Sequence, residues 1–448
     1  MGFATAREAV DTSLARIDRT NPTINAFTTV LHERARDRAE TLDAARARGA
    51  RMGPLAGVPF AVKNLFDVQG IATLAGSKIN LDRGPAARDA FLIRKLEAAG
   101  AICVGALNMG EYAYDFTGEN AHYGPSRNPH DITRMSGGSS GGSGAAVGAG
   151  MVPIALGSDT NGSIRMPASF CGVFGLKPTY GRLSRSGAFL FASSFDHLGP
   201  LARSTSDLAL AYDAMQGADP NDPAQSRREV ESAHGLIDRG IAGLRLAVAD
   251  DYFAKGGEPV AHDAVAKVAK ALGARRRVVL PEAARARAAA FVITAVEGAN
   301  LHAARLKSRP QDFDPDTRDR FFAGMMIPGH WYAQAQRFRR WYRDRVAQLF
   351  EEVDVIIAPA APCTAPALGQ KTMTLAGVEM PVRANLGIFT QPISFIGLPV
   401  VAAPLAKAGG PMPIAVQIIA APWREDLVLR VSAALERAGV AAAWPMRA

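Results

Sequence analysis

Residues 136–171 read SGGSSGGSGAAVGAGMVPIALGSDTNGSIRMPASFC, and the parse of this stretch decides the fold. It opens with a Gly/Ser loop, Gly137-Gly138-Ser139-Ser140-Gly141-Gly142. A small-residue run, Ser143 to Gly150, follows, and then an apolar run, Val152 to Leu156. A second tight loop, Asp159-Thr160-Asn161-Gly162-Ser163, comes next. The order is loop, helix, strand, loop, with hydroxyls at both loops. A flexible Gly/Ser linker would not enclose VPIAL, because it has no apolar surface to bury. Glycine permits backbone to approach a ligand closely, and both loops have that character.

Working outward, helices are expected at Thr5 to Asp18, His32 to Arg51 and Ala90 to Ala99. Gly57 to Val68 reads as a strand-like apolar run with one lysine inside it, and a buried strand is expected at Ala101 to Leu107. Gly175 to Gly199 reads as loop-rich and Ser206 to Met215 as helix. Further helices are expected at His262 to Leu272, Pro281 to Ala304, Tyr332 to Glu352 and Glu425 to Ala438. Late strands are expected at Leu244 to Ala249, Val353 to Ala358, Pro399 to Ala403 and Ile414 to Ile419. This alternation implies an α/β fold, and with no internal repeat or clean boundary the 448 residues read as one domain.

Composition narrows the class. Hydrophobic residues make up 48% and charged residues 21%, as in ordinary globular enzymes. No apolar run is long enough for a transmembrane helix, and the first 18 residues are charged throughout, with no apolar signal core. Cys103, Cys171 and Cys363 are few, odd in number and far apart, which fits reduced thiols in a cytoplasm. The net charge is +9, yet no basic run with interleaved aromatics resembles a nucleic-acid reader. The eight histidines show no metal-ligand spacing.

Lysine is scarce: ten of the 51 basic residues. One of them, Lys63, sits inside the apolar run GVPFAVKNLF. A desolvated lysine has a lowered pKa and can act as a general base, which arginine cannot. A strand-end lysine with its ammonium in solvent fits the same segment. A serine nucleophile needs such a base and donors for the oxyanion. Ser163 follows a tight turn whose successive N–H groups can converge on one point. Ser139 or Ser140, at the start of the small-residue helix, could relay a proton between Ser163 and Lys63. Close helix packing accounts for the glycines but not for both hydroxyl loops. GGSSGGS lacks the Gly-Lys-Ser/Thr ending of a P-loop. A Ser-His-Asp arrangement using Asp196-His197 has no G-x-S-x-G elbow before it.

These motifs resemble the amidase signature family. The likeness runs through GPLAGVPFAVKNLFDVQG (53–70), GGSSGGSGAAVGAG (137–150), LGSDTNGSIRMPASFCGVFGLKPTYGRLSRSG (156–187) and MPIAVQIIAAPW (412–423). Ser139 and Ser163 lie 24 residues apart, the family's usual spacing. The resemblance implies a large mixed β-sheet sandwiched by helices on both faces, with a signature core about 53–205. It implies Ser163 as nucleophile, Ser139 as bridging serine and Lys63 as base. It also implies an oxyanion hole from the N–H groups of Thr160, Asn161, Gly162 and Ser163, with no metal and no cofactor.

The expected activity is release of ammonia from a small carboxylated urea or amide through a covalent acyl-enzyme. Two alternatives are the glutamine-hydrolysing subunit of a tRNA amidotransferase and a non-catalytic scaffold subunit. Glutamine-using members usually carry Gly where Asn161 stands and an acidic residue where Gly387 falls, which argues against glutamine. Asn161 is expected to contact or restrict the substrate. Arg320, by its position relative to those members, is the candidate anchor for a substrate carboxylate. The aromatic-basic run Trp331 to Tyr342 either lines the site or packs as a helix face, with Trp331, Ala335, Phe338 and Tyr342 aligned. The resemblance further implies a small helical partner like the C subunit of tRNA amidotransferases, in a homodimer of heterodimers. The first helix is short for the family, which implies a truncated start.

Overall fold

The computed structural model describes residues 5–406 and 410–446. Residues 1–4, part of the stretch read for a leader, lie outside the described residues. Eleven strands form one mixed sheet. Across it they run Phe27–Val30, Ile102–Leu107, Pro59–Lys63, Ile154–Asp159, His197–Ala202, Phe174–Lys177, Val400–Pro404, Ala415–Ala420, Val355–Pro359, Leu246–Ala249 and Arg276–Val278. The late strands join the same sheet, as expected.

Alternate side chains of a strand face opposite sides of the sheet, and this sheet buries both. Phe60, Val62 and Leu156 belong to one apolar cluster, Ala61 and Ala155 to the other. The second side takes the small-residue helix Gly141–Gly148 and the helix Arg165–Cys171, through Ala145, Ala146, Val147 and Ala168. Small side chains there let the helix sit close. A Cβ on Gly142 would lie 2.5 Å from the Ala26 carbonyl oxygen and 2.6 Å from that of Asn108. Both are backbone atoms that cannot swing aside. Gly142→Ala is therefore expected to destabilise the fold by about 1–3 kcal/mol or more, read as a lower denaturant midpoint at unchanged slope.

Strand directions place the site. Pro59–Lys63 is parallel to Ile154–Asp159, with Phe60 opposite Ile154 and Val62 opposite Leu156. Both strands end at the same edge, so Lys63 arrives beside Ser158. Ligands in α/β sheets gather at the carboxyl ends of parallel strands.

Several expectations are corrected. The first helix does not stop at Asp18. It runs from Ala6 to Ile24, with Thr5 capping Glu8 N–H and Pro22 in its last turn. Gly175 to Gly199 is not loop throughout, because Phe174–Lys177 and His197–Ala202 are fully buried strands. A helix at Pro315–Met325 and edge strands at Phe27–Val30 and Arg276–Val278 had no signal strong enough to read. In the helix Gly329–Glu352, Ala335 and Tyr342 are buried and Phe338 packs against the core, but Trp331 is 53% exposed and does not belong to that face.

Candidate active site

Lys63 closes its strand fully buried, and the two hydroxyl loops fold over its end. Its Nζ lies 2.7 Å from Ser139 Oγ and 2.8 Å from Ser158 Oγ. Burial pushes the amine down to about 7, against the distant carboxylates of Asp196, Asp159 and Asp115, which raise it. A neutral amine has two N–H groups and one lone pair. Ser158 can take an N–H, which leaves the lone pair for a proton from Ser139. A second buried lysine shows the contrast. Lys177 is also pushed down to about 7 by burial, but its Nζ donates to the carbonyls of Pro178 and Leu398. Carbonyls have no proton to give, so Lys177 is a clamp.

The adjacent serines differ in role. Ser140 Oγ donates to the Ser158 carbonyl at 3.1 Å and accepts from Ser158 N–H at 3.2 Å, tying loop to strand. Ser139 alone of the pair touches the lysine. Ser163 is buried next to this loop, its carbonyl accepting from Ser140 N–H at 3.3 Å. No hydrogen bond joins Ser163 Oγ to Ser139 among the described residues.

The turn between Asp159 and Ser163 is held at almost every residue. Asp159 and Arg165, both fully buried, form a bidentate pair at 2.9 and 3.0 Å. Burial alone would raise the Asp159 carboxyl, but the charge and hydrogen bonds of Arg165 outweigh it and hold the group well below the usual carboxylate range. Arg165 reaches on to Gln417 Oε1 at 2.6 Å and the Thr390 carbonyl at 3.2 Å. Thr160 Oγ1 donates to Asp196 Oδ1 at 2.5 Å, and Asp196 Oδ2 accepts from the N–H groups of Phe191 and Ala192. Burial pushes Asp196 up to about 6 against those bonds. The Asn161 carbonyl accepts from Thr390 Oγ1 at 2.6 Å. Within this clamp the backbone N–H groups of Thr160, Asn161, Gly162 and Ser163 donate to no described residue. Gly162 has φ 141°, and a Cβ there would collide with Thr390 Oγ1. Such a turn can cradle a negative oxygen.

The Asp196-His197 alternative does not assemble. Asp196 is engaged by Thr160 and the 191–192 backbone, while His197 Nδ1 donates to the Asp159 carbonyl at 3.0 Å. Burial holds this imidazole neutral, well below its ordinary pKa.

Arg320 is half-buried on the helix Pro315–Met325. Its guanidinium lies 3.5 Å from the Tyr114 ring centroid and donates to the Tyr114 carbonyl at 2.6 Å. It has no carboxylate partner among the described residues. Tyr114 packs on Phe191 with centroids 4.6 Å apart, and Phe191 N–H is held by the Asp196 that holds Thr160. Arg320 is thus linked by packed contacts to the turn. The run Trp331 to Tyr342 supplies Arg339, which donates to the carbonyls of Phe395 and Ser194 at 2.5 and 2.8 Å. Among the described residues no group of three or more His, Cys, Asp or Glu is placed to hold a metal ion. No helix there is long and apolar enough to cross a membrane. The three cysteines are free and buried.

Ser158, Arg165 and Thr390 were not singled out from the sequence, and Asp196 was weighed only as a member of a Ser-His-Asp arrangement, not as a support for the turn. Ser158 had one signal, a polar residue just past the apolar run Val152 to Leu156.

Known proteins share this chain's sequence and fold. The amidase family model matches residues 8–429. The chain is 55% identical over 441 residues to AtzE of Pseudomonas sp. (strain ADP), a 1-carboxybiuret hydrolase subunit, covering 98% of this chain and 96% of that one. It is 38% identical over 460 residues to the A subunit of the glutamyl-tRNA(Gln) amidotransferase of Anaeromyxobacter dehalogenans, covering 96% and 92%. A solved structure of an s-triazine catabolic enzyme, described as part of a vestigial protein complex, superposes with a TM-score of 0.97 at 54% identity, covering 98% and 96%. The corresponding amidotransferase chain of Thermotoga maritima superposes with a TM-score of 0.84 at 29% identity, covering 99% and 95%. The chain belongs to the amidase signature family, and it is a hydrolase acting on amide C–N bonds.

Proposed function

We propose that this amidase releases ammonia from 1-carboxybiuret or a closely related carboxylated urea. Ser163 attacks the terminal carbonyl carbon while Ser139 takes its proton and passes its own to neutral Lys63. The oxyanion forms against the N–H groups of the Thr160–Ser163 turn. The proton returns to the leaving nitrogen, ammonia departs and an acyl-enzyme remains. Water then repeats the steps and frees a carboxylate, or for a urea a carbamate. The observation that carries this reading is the buried Lys63 amine 2.7 Å from Ser139 Oγ, beside a turn with uncommitted N–H groups.

The substrate class is supported by 55% identity along almost the whole chain to a 1-carboxybiuret hydrolase subunit. Gly387 supports it too. A Cβ there would lie 2.5 Å from Phe116 Cζ, on a buried ring, so an acidic side chain to hold the amino group of glutamine has no room. Arg320, with no carboxylate partner among the described residues, is suited to bind that of the substrate in bidentate fashion. Retention of Lys63, Ser139 and Ser163 together opposes a purely scaffolding role. The relative is one subunit of its enzyme, and its structural counterpart comes from a complex. A small helical partner, in a homodimer of heterodimers working in the cytoplasm, belongs to the same proposal.

The test offers the purified chain, alone and with a co-expressed helical partner, carboxylated biuret, biuret and glutamine while ammonia is measured. Release from the ureas and not from glutamine is expected. Release from glutamine alone overturns the substrate.

A further inference from the structure

We propose that the Asn161 side chain accepts a hydrogen bond from an N–H group on the acyl side of the scissile carbonyl, and so selects ureas over carboxamides. The inference rests on the reading of the Thr160–Ser163 turn as the oxyanion site.

Asn161 is 7% exposed, and its Oδ1 is buried with no hydrogen-bond partner. Thr294 fixes which way the amide points. Thr294 Oγ1 donates its single proton to the Ala290 carbonyl at 2.9 Å, one turn back in the helix Ala283–Ser308. Only lone pairs are left toward Asn161. The end of the Asn161 amide that meets Thr294, 3.4 Å away, is therefore the Nδ2 donor. The oxygen faces elsewhere. The backbone cannot turn to change this, because the Asn161 carbonyl is held by Thr390 Oγ1.

A side-chain oxygen of Asn lies within about 5 Å of its own backbone nitrogen by covalent geometry. The Asn161 N–H is one of the uncommitted donors of the turn. A substrate whose carbonyl oxygen rests on that turn brings the atom next to its carbonyl carbon within reach of Oδ1. In a urea or a biuret that atom is N–H. In a carboxamide such as glutamine it is CH2. The N–H supplies the donor that Oδ1 lacks. The CH2 leaves a buried acceptor orphaned, which is how a polar site rejects an analogue.

Biuret and malonamide differ only at this atom, N–H against CH2, and both carry terminal amides. Ammonia release from each gives a kcat/KM ratio for wild type, Asn161→Gly, Asn161→Leu and Asn161→Asp. Wild type is expected to prefer biuret by about tenfold or more, and Asn161→Gly and Asn161→Leu to bring the ratio to within about threefold of unity. Asn161→Asp, which keeps an acceptor, is expected to keep the preference even at a lower rate. Equal loss on both substrates in the Gly and Leu variants, as a merely structural role would give, overturns the inference alone. A wild type inactive on biuret and on carboxylated biuret but active on glutamine overturns the substrate reading and this inference with it.

Discussion

Replacing Ser163 by alanine is expected to lower ammonia release by about 10⁴-fold or more, since loss of a nucleophile removes the covalent route and leaves only binding and the oxyanion turn. The residue to compare is Ser139. It touches Lys63 at 2.7 Å, whereas Ser163 Oγ makes no hydrogen bond to it. Ser139→Ala is expected to slow both acylation and deacylation, because the same relay serves both halves. Ser163→Ala should instead leave no acyl adduct at all when the enzyme is mixed with substrate and its intact mass is measured. An adduct of unchanged yield in Ser163→Ala, or unchanged turnover, would show that another group attacks.

Lys63→Ala is expected to cost at least about 10²-fold in kcat/KM, as for loss of a general base. Lys63→Arg should be nearly as severe, because guanidinium stays protonated and cannot take the proton. The pH dependence follows from burial. The Lys63 amine is pushed down from 10.5 to about 7. In the proposed mechanism the active form is the deprotonated one, so kcat/KM is expected to rise with pH and level off above about 7. At pH 7.5 an unshifted lysine would be neutral in about one molecule per 10³, whereas a pKa pushed down to about 7 makes the neutral form a substantial fraction. Measured kcat/KM against pH should show this rising limb in wild type. A limb that stays near 7 in an active Lys63 variant would assign it to another group.

Much of the candidate site was legible because local chemistry set it. Lys63 stood out as a cation in an apolar strand, and the two glycine-rich hydroxyl loops lay close in sequence. The structure joins Lys63 to Ser139 and leaves the turn's N–H groups uncommitted. What escaped depends on contacts between distant segments. Asp196 meets Thr160 across 36 residues, and Arg165 meets Thr390 and Gln417 across 225 and 252. Nothing local in Gln417 marks it as a support for a turn so far upstream. The strands Phe174–Lys177 and His197–Ala202 escaped for a different reason. Gly175, Gly199 and Pro200 are turn-formers in isolation, and only the sheet neighbours on both sides hold them extended. Trp331 fitted the helical spacing of its face, yet it lies near the start of its helix and outside the packed face.

Given the proposed site, the clamp on the turn is also expected to set when activity can arise during synthesis. Lys63, Ser139 and Ser163 leave the ribosome early, but the groups that hold the turn, Thr390 and Gln417, come from the last sixth of the chain. A nascent or prematurely terminated polypeptide ending before Thr390 carries every side chain of the proposed relay and lacks the brace behind them. Such a fragment is expected to be inert toward amides. On the proposed mechanism, the acylating centre is expected to be complete only once translation is nearly finished.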